Sequence, residues 1–225
     1  MGRALSPRLP QAVIFDMDGL IFDTEAFYQK ALLGLAHERG MTAITQPIVD
    51  QTIGLSWSST RVLLARVLPG NVDIDAFIGA WTEHYNAMAA RELSLKPGVT
   101  ELLDALEARD IPRAVATGSH RDVALRHLTD FALHHRFHTI VTKEDCINGK
   151  PDPEPFLTSA AYLQVEPASC WALEDSLNGI RSAHDAGMET IMIPDLFAPD
   201  ADTRALCCHI AASLHEVVSL IEDRS

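Results

Sequence analysis

Short, largely apolar runs recur along this chain, separated by segments of helical period. Ala12-Val13-Ile14-Phe15 is the first, and it stops abruptly at Asp16. Ala114–Ala116, Thr139–Val141, Cys170–Leu173 and Thr190–Ile193 share its short, partly β-branched character, as strands covered on both faces do. Between them lie Val99–Ala108, Asp122–Phe131, Pro155–Leu163 and Leu177–Ala186, whose apolar residues recur near the helical period and whose ends carry Gly98, Pro112 or Gly187. Strands alternating with helices predict an α/β protein built on a doubly wound parallel sheet. Ile210–Ala212 and Leu214–Ile221 predict a further strand-like run and a closing helix.

From about Glu25 to Leu95 the alternation breaks. Ala26–Arg39, Pro47–Ile53, Thr60–Leu68 and Ile74–Leu93 all follow the helical pattern with no strand between them, which predicts a helical insertion over residues 25–95 in a core made of residues 11–24 and 96–225. Asp73 and Ser59 are candidate helix N-caps, Gly40 a candidate stop, and Lys96-Pro97-Gly98 a candidate hinge back to the sheet. Ligands of open parallel sheets bind at the carboxyl ends of the strands, and the insertion follows the first of those ends, so it is expected to act as a lid.

Composition narrows the function classes. Apolar residues make up 47% of the chain and charged residues 22%, which fits a compact globular protein. A net charge of −13, with no Lys/Arg-rich block, argues against nucleic acid or anionic lipid as a partner. Met1–Pro10 lacks the apolar stretch of a signal peptide, and no later run is long enough to span a bilayer. Cys146, Cys170, Cys207 and Cys208 form neither a CxxC pair nor a disulfide framework, so a reduced, cytoplasmic setting is expected. Nothing in the sequence speaks to oligomeric state.

Four polar clusters stand at strand ends. Asp16-Met17-Asp18-Gly19 places two carboxylates where a buried strand runs into a turn; such a pair suits a cation or a shared proton, and an ordinary Asp/Gly turn is the alternative. Glu174-Asp175 repeats the arrangement, although Asp175 or Ser176 also reads as a cap for the helix near Leu177. Carboxylate and carbonyl oxygens together suit Mg²⁺, which binds through a few carboxylates and substrate phosphate oxygens. Thr117-Gly118-Ser119 sets hydroxyls and free N–H groups before a helix, a place for phosphate, with a Ser119–Asp122 cap as the compatible plainer use. Gly149-Lys150-Pro151-Asp152-Pro153 holds one lysine in a stiff loop, where it is either a solvated side chain or a cation for phosphoryl transfer.

Taken in order, these clusters resemble the haloacid dehalogenase-like hydrolase superfamily, in particular its branch with a helical cap inserted after the first motif. The resemblance runs through Phe15–Leu20 with Asp23-Thr24-Glu25, Ala116–Ser119, Gly149–Pro153, and Glu174-Asp175-Ser176 with Asn178-Gly179. It implies that Asp16 is the nucleophile on phosphorus and that Asp18 protonates the leaving oxygen and later helps deprotonate the attacking water. It also implies Mg²⁺ held by the Asp16 carboxylate, the Asp18 carbonyl and Asp175, with Glu174 as a direct or outer contributor. Thr117 and Lys150 would hold phosphoryl oxygens, with Gly118 and Ser119 as weaker candidates.

The second aspartate, Asp18, separates the chain from the dehalogenases of that superfamily, so the expected activity is hydrolysis of a small phosphorylated metabolite: a sugar, polyol or nucleoside monophosphate. A β-phosphoglucomutase-like mutase is the rival, but Tyr28 stands where those mutases carry a cap histidine, and Trp57 where their cap loop supplies an arginine. Arg61, one turn on, is a candidate anion contact, and Trp57 is either a substrate surface or a packing residue. A non-catalytic phosphometabolite-binding protein is the third possibility, opposed by the four intact motifs. His120, His127, His134, His135 and His138 read as a histidine-rich surface helix and loop, with no transition metal expected.

Overall fold

The computed structural model describes residues 5–6, 8–52, 55, 57–195 and 198–224; the side chains of Glu25, Trp57 and Ser58 lie outside that description, as do Ile53, Gly54 and Ser56. The Trp57 side-chain expectation therefore falls outside the described residues. Six strands, β1 (Ala12–Phe15), β2 (Arg113–Ala116), β3 (Thr139–Val141), β4 (Cys170–Glu174), β5 (Glu189–Met192) and β6 (His209–Ile210), form one sheet. Their spatial order is β3-β2-β1-β4-β5-β6, and every pairing is parallel.

The chain divides into two compact units, Met1–Phe22 with Leu95–Ser225, and Asp23–Ser94. The second holds α1 (Glu25–Glu38), α2 (Gln46–Asp50), α3 (Trp57–Val67) and α4 (Ile74–Glu92). Around the sheet lie α5 (Val99–Glu107), α6 (Arg121–Asp130), α7 (Glu154–Leu163), α8 (Leu177–Asp185), α9 (Ala201–Leu206) and α10 (Leu214–Glu222).

All four residues of β1 are fully buried, because the strand is central and helices cover both faces. One face presents mostly small side chains, Ala12, Ile14, Ala114, Ala116, Cys170 and Ala172, against which Phe156 and Ala160 of α7 and Ala183 of α8 pack. Small residues there let α7 approach closely across β1, β2 and β3. The helical unit has its own core, in which Leu32, Leu64, Phe77, Trp81 and Tyr85 are buried together. Asp73 caps α4 as expected, accepting the N–H groups of Asp75 at 3.0 Å and Ala76 at 3.1 Å.

Some expectations are corrected. Ser59 is not a cap, since α3 already starts at Trp57 and Ser59 lies inside it; the polar first turn carries no apolar period, so the pattern alone places the start too late. His127 is not on a surface face: only 3% of it is exposed, and its ring is tilted against Phe22 at 5.7 Å between centroids. Burial holds its imidazole below the usual histidine range. His120 does lie at the surface, where it meets Glu144 at 2.6 Å. Among the described residues no helix is long and apolar enough to cross a membrane, and all four cysteines carry free thiols.

Candidate active site

The sheet order decides where chemistry can gather. From β1 the chain builds outward through β2 and β3, then returns to the other side of β1 to form β4. That reversal parts the loops at the carboxyl ends of β1 and β4, the crevice where open α/β sheets bind ligands. Asp16 follows β1 there, its N–H donating to the Leu173 carbonyl of β4 at 2.9 Å. Glu174 is the last residue of β4 and Asp175 follows it.

Beyond Asp16 the chain folds into a tight turn, in which the N–H groups of Ile21 and Phe22 donate to the Met17 carbonyl at 2.9 and 3.1 Å. Met17, Leu20, Ile21 and Phe22 are buried and anchor it. Gly19 has φ +84°, and a Cβ there would also overlap the Asp175 carboxylate, so glycine is needed on two counts.

Lys150 reaches in from the loop before α7. Its ammonium donates to Asp16 Oδ1 and, at 2.6 Å, to Glu174 Oε1, and stands 4.9 Å from the centre of the Phe156 ring. The other Glu174 oxygen accepts the N–H and hydroxyl of Ser176 at 2.9 and 3.0 Å. Ser176, not Asp175, caps α8, accepting the Gly179 N–H at 3.1 Å. Gly179 admits no Cβ, because one would overlap the Glu174 carboxylate.

Asp18 is held from the β2 side. Its Oδ2 accepts the hydroxyls of Ser119 at 2.7 Å and Thr117 at 3.3 Å, while its Oδ1 is buried without a hydrogen-bond partner. The expected Ser119–Asp122 cap is absent: His120 is the N-cap of α6, with no side-chain cap bond, and the Ser119 hydroxyl is turned to Asp18. Gly118 lies in the same loop, where a Cβ would meet nothing within 4 Å. Hydrogen bonds thus join Asp16, Lys150 and Glu174 in one group and Asp18, Thr117 and Ser119 in a second, and Asp175 lies against Gly19. Arg61 belongs to the helical unit, where its guanidinium meets Asp75.

Burial dominates the electrostatics. It raises the Asp16 carboxyl well above the ordinary range; Lys150 opposes that rise, while Glu174 and Asp18 add to it. Burial works against a charged Lys150 as well, yet Asp16 and Glu174 outweigh it and hold the ammonium charged, its pKa raised. Two positive groups would suit so acidic a place better than one. Asp16, Glu174 and Asp175 each offer an oxygen within 4.8 Å of the others. An all-oxygen set of this kind fits Mg²⁺, and Gly19 and Gly179 leave two of the carboxylates the room a side chain would take.

A family model described as haloacid dehalogenase-like hydrolase matches residues 13–193. The chain belongs to the haloacid dehalogenase-like hydrolases. This hydrolase is 32% identical over 181 residues to a phosphorylated carbohydrates phosphatase of Thermotoga maritima, covering 80% of this chain and 83% of the relative. It is 34% identical over 196 residues to a β-phosphoglucomutase of Bacillus subtilis, covering 79% and 80%. A solved haloacid dehalogenase-like hydrolase of family IA from Entamoeba histolytica shares its fold, with a TM-score of 0.79 at 22% identity over 94% of this chain and 99% of that one.

Sequence motifs named the charged members of the site but not the steric work of Gly19 and Gly179, although both glycines stand inside those motifs. The burial of His127 had no such signal, since a histidine inside a helical pattern reads alike on either face.

Proposed function

We propose that this hydrolase cleaves phosphate from a small phosphorylated metabolite, a sugar, polyol or nucleoside monophosphate, through an aspartyl-phosphate at Asp16. The observation that carries this is the pairing of two aspartates in different surroundings at one strand end: Asp16 against the Lys150 ammonium, and Asp18 hydrogen-bonded to two hydroxyls with a buried oxygen to spare. Two carboxyls in unlike environments divide into nucleophile and acid/base.

The Asp16 carboxylate attacks phosphorus, and the bond to the leaving oxygen breaks as Asp18 supplies a proton to it. Asp18, now a carboxylate, takes a proton from the water that attacks the phosphoenzyme, releasing phosphate and restoring Asp16. Thr117 and Lys150 hold phosphoryl oxygens, with Gly118 and Ser119 lining the same loop. Asp16, Asp175 and the Asp18 carbonyl would hold Mg²⁺, which when bound neutralises charge on the phosphoryl group. Glu174, whose oxygens are taken by Lys150 and Ser176, serves better as the buried anchor of Lys150 than as a direct ligand.

Residues 11–24 and 96–225 form the catalytic core in this proposal, and residues 25–95 the cap that selects substrate, with Trp57 and Arg61 as its candidates. The protein works in the cytoplasm. Hydrolysis is favoured over mutase chemistry by Tyr28, whose ring stacks on Tyr85 with centroids 3.8 Å apart at 4°, so that an aromatic cluster stands where a mutase histidine would.

The test is phosphate release from a panel of sugar, polyol and nucleoside monophosphates, with Mg²⁺ and with chelator, for wild type and Asp16→Asn. Metal-dependent release that is lost in a folded Asp16→Asn variant is expected. Interconversion of hexose phosphates without release would select the mutase, and neither activity would leave a binding protein.

A further inference from the structure

Lys150 follows three exposed residues in its loop. Ile147, Asn148 and Gly149 are exposed, Ile147 to 94% of its surface, so burial cannot fix the path that delivers the lysine. Polar ties do so instead. Glu154, the first residue of α7, accepts the backbone N–H of Ile147 on one carboxylate oxygen and that of Asn148 on the other, each at 2.8 Å. Its own N–H donates to Asp152 Oδ1 at 3.0 Å, the Asp152 N–H donates to the Gly149 carbonyl at 3.1 Å, and the Asp152 carbonyl accepts the Ser182 hydroxyl of α8 at 2.5 Å.

We infer that Glu154 is a positioning residue for the reaction, holding the 146–150 loop so that Lys150 meets Asp16 and Glu174. It touches neither the nucleophile nor the lysine. Two N–H groups on consecutive residues need two acceptors on one planar group, and a carboxylate supplies them; a glutamine offers one oxygen and turns a donor toward the second N–H. The two N–H bonds also hold the Glu154 carboxyl below the ordinary glutamate range, as expected of a carboxylate that the loop keeps ionised. The same helix places Phe156 beneath the ammonium, so the first turn of α7 governs both the approach of Lys150 and its seat. This inference rests on the phosphatase proposal only for the reaction that Lys150 serves; the placement of Lys150 is open to a test of its own.

The test compares Glu154→Gln and Glu154→Ala with wild type in two measurements. The first is kcat for phosphate release, taken well below each variant's Tm. The second is the rate at which Lys150 is acylated by an amine-reactive acetyl ester, read by mass spectrometry with Lys30 and Lys143 as internal references. Displacement of about an ångström can cost on the order of a hundredfold in rate. Expected, then, are a kcat lowered about 10- to 100-fold in Glu154→Ala, a smaller loss in Glu154→Gln, and faster acylation of Lys150 in the same order, with Lys30 and Lys143 unchanged. Should the alanine variant fail to fold, the glutamine variant decides. Unchanged acylation together with a lowered kcat overturns the inference, because the effect would not run through Lys150. Faster acylation with kcat within twofold overturns it as well. If wild type releases no phosphate from any compound while Lys150 is unmasked in the variants, the phosphatase proposal falls and the positioning of Lys150 by Glu154 stands.

Discussion

Single atoms decide much at this site, and two substitutions show how. Gly179 lies inside α8, where alanine would ordinarily stabilise a helix by about 1 kcal/mol. Here a Cβ would overlap the Glu174 carboxylate, which is fully buried and bound to Lys150 and Ser176, so it has nowhere to retreat. Overpacking of that kind costs about 1–3 kcal/mol, which reverses the sign. Gly179→Ala is expected to lower Tm and to cut kcat at least tenfold, as denaturation and phosphate-release assays would read. Ser119 poses a different question, because its hydroxyl donates to Asp18. Ser119→Ala should lower kcat several-fold with KM nearly unchanged; a raised KM with kcat intact would place that hydroxyl on the phosphoryl group instead.

At the scale of the element, ends matter more than middles. α4 runs for 19 residues, and its start is fixed by Asp73, which accepts two N–H groups that would otherwise face water unpaired. Asp73→Ala should therefore destabilise the helical unit by about 0.5–2 kcal/mol, seen as a lower denaturation midpoint at constant slope. Strand ends do the chemical work. β1 and β4 stop one beside the other, in register Phe15 to Leu173, and that register sets Asp16 next to Glu174 and Asp175. A slip of one residue along β4 would turn Glu174 to the other face of the sheet and leave Lys150 with half its partners.

Over the whole molecule, folding concentrates negative charge at one place. Asp16, Glu174 and Asp175 converge, Lys150 meets the first two of them, and burial makes ionised Asp16 costly. A divalent cation would relieve that cost only in the folded chain, so Mg²⁺ at about a hundred times its Kd should add about 2.7 kcal/mol to stability. A rise in Tm with Mg²⁺, absent in Asp175→Ala, is the expected calorimetric result; equal Tm with chelator and with Mg²⁺ in wild type would place no cation there.

The sequence by itself determined the parallel α/β architecture, because buried strands leave uninterrupted apolar runs such as Ala12–Phe15 and helices leave a period, and both are local signals. It also determined which residue types stand at strand ends, since motifs such as Asp16-Met17-Asp18-Gly19 and Gly149–Pro153 are contiguous. It misplaced the start of α3, where Ser58-Ser59-Thr60 carry no apolar period, and set His127 on the surface, because one polar ring does not reveal which helix face it occupies. Only tertiary structure decided partners. That Ser119 serves Asp18 rather than a helix end and that Glu174 holds Lys150 are consequences of which strands lie side by side, whereas the room Gly179 makes for Glu174 and the grip of both Glu154 oxygens on the lysine loop come from how nearby loops fold. Strand order is fixed by packing over the whole chain, and no local stretch of sequence encodes it.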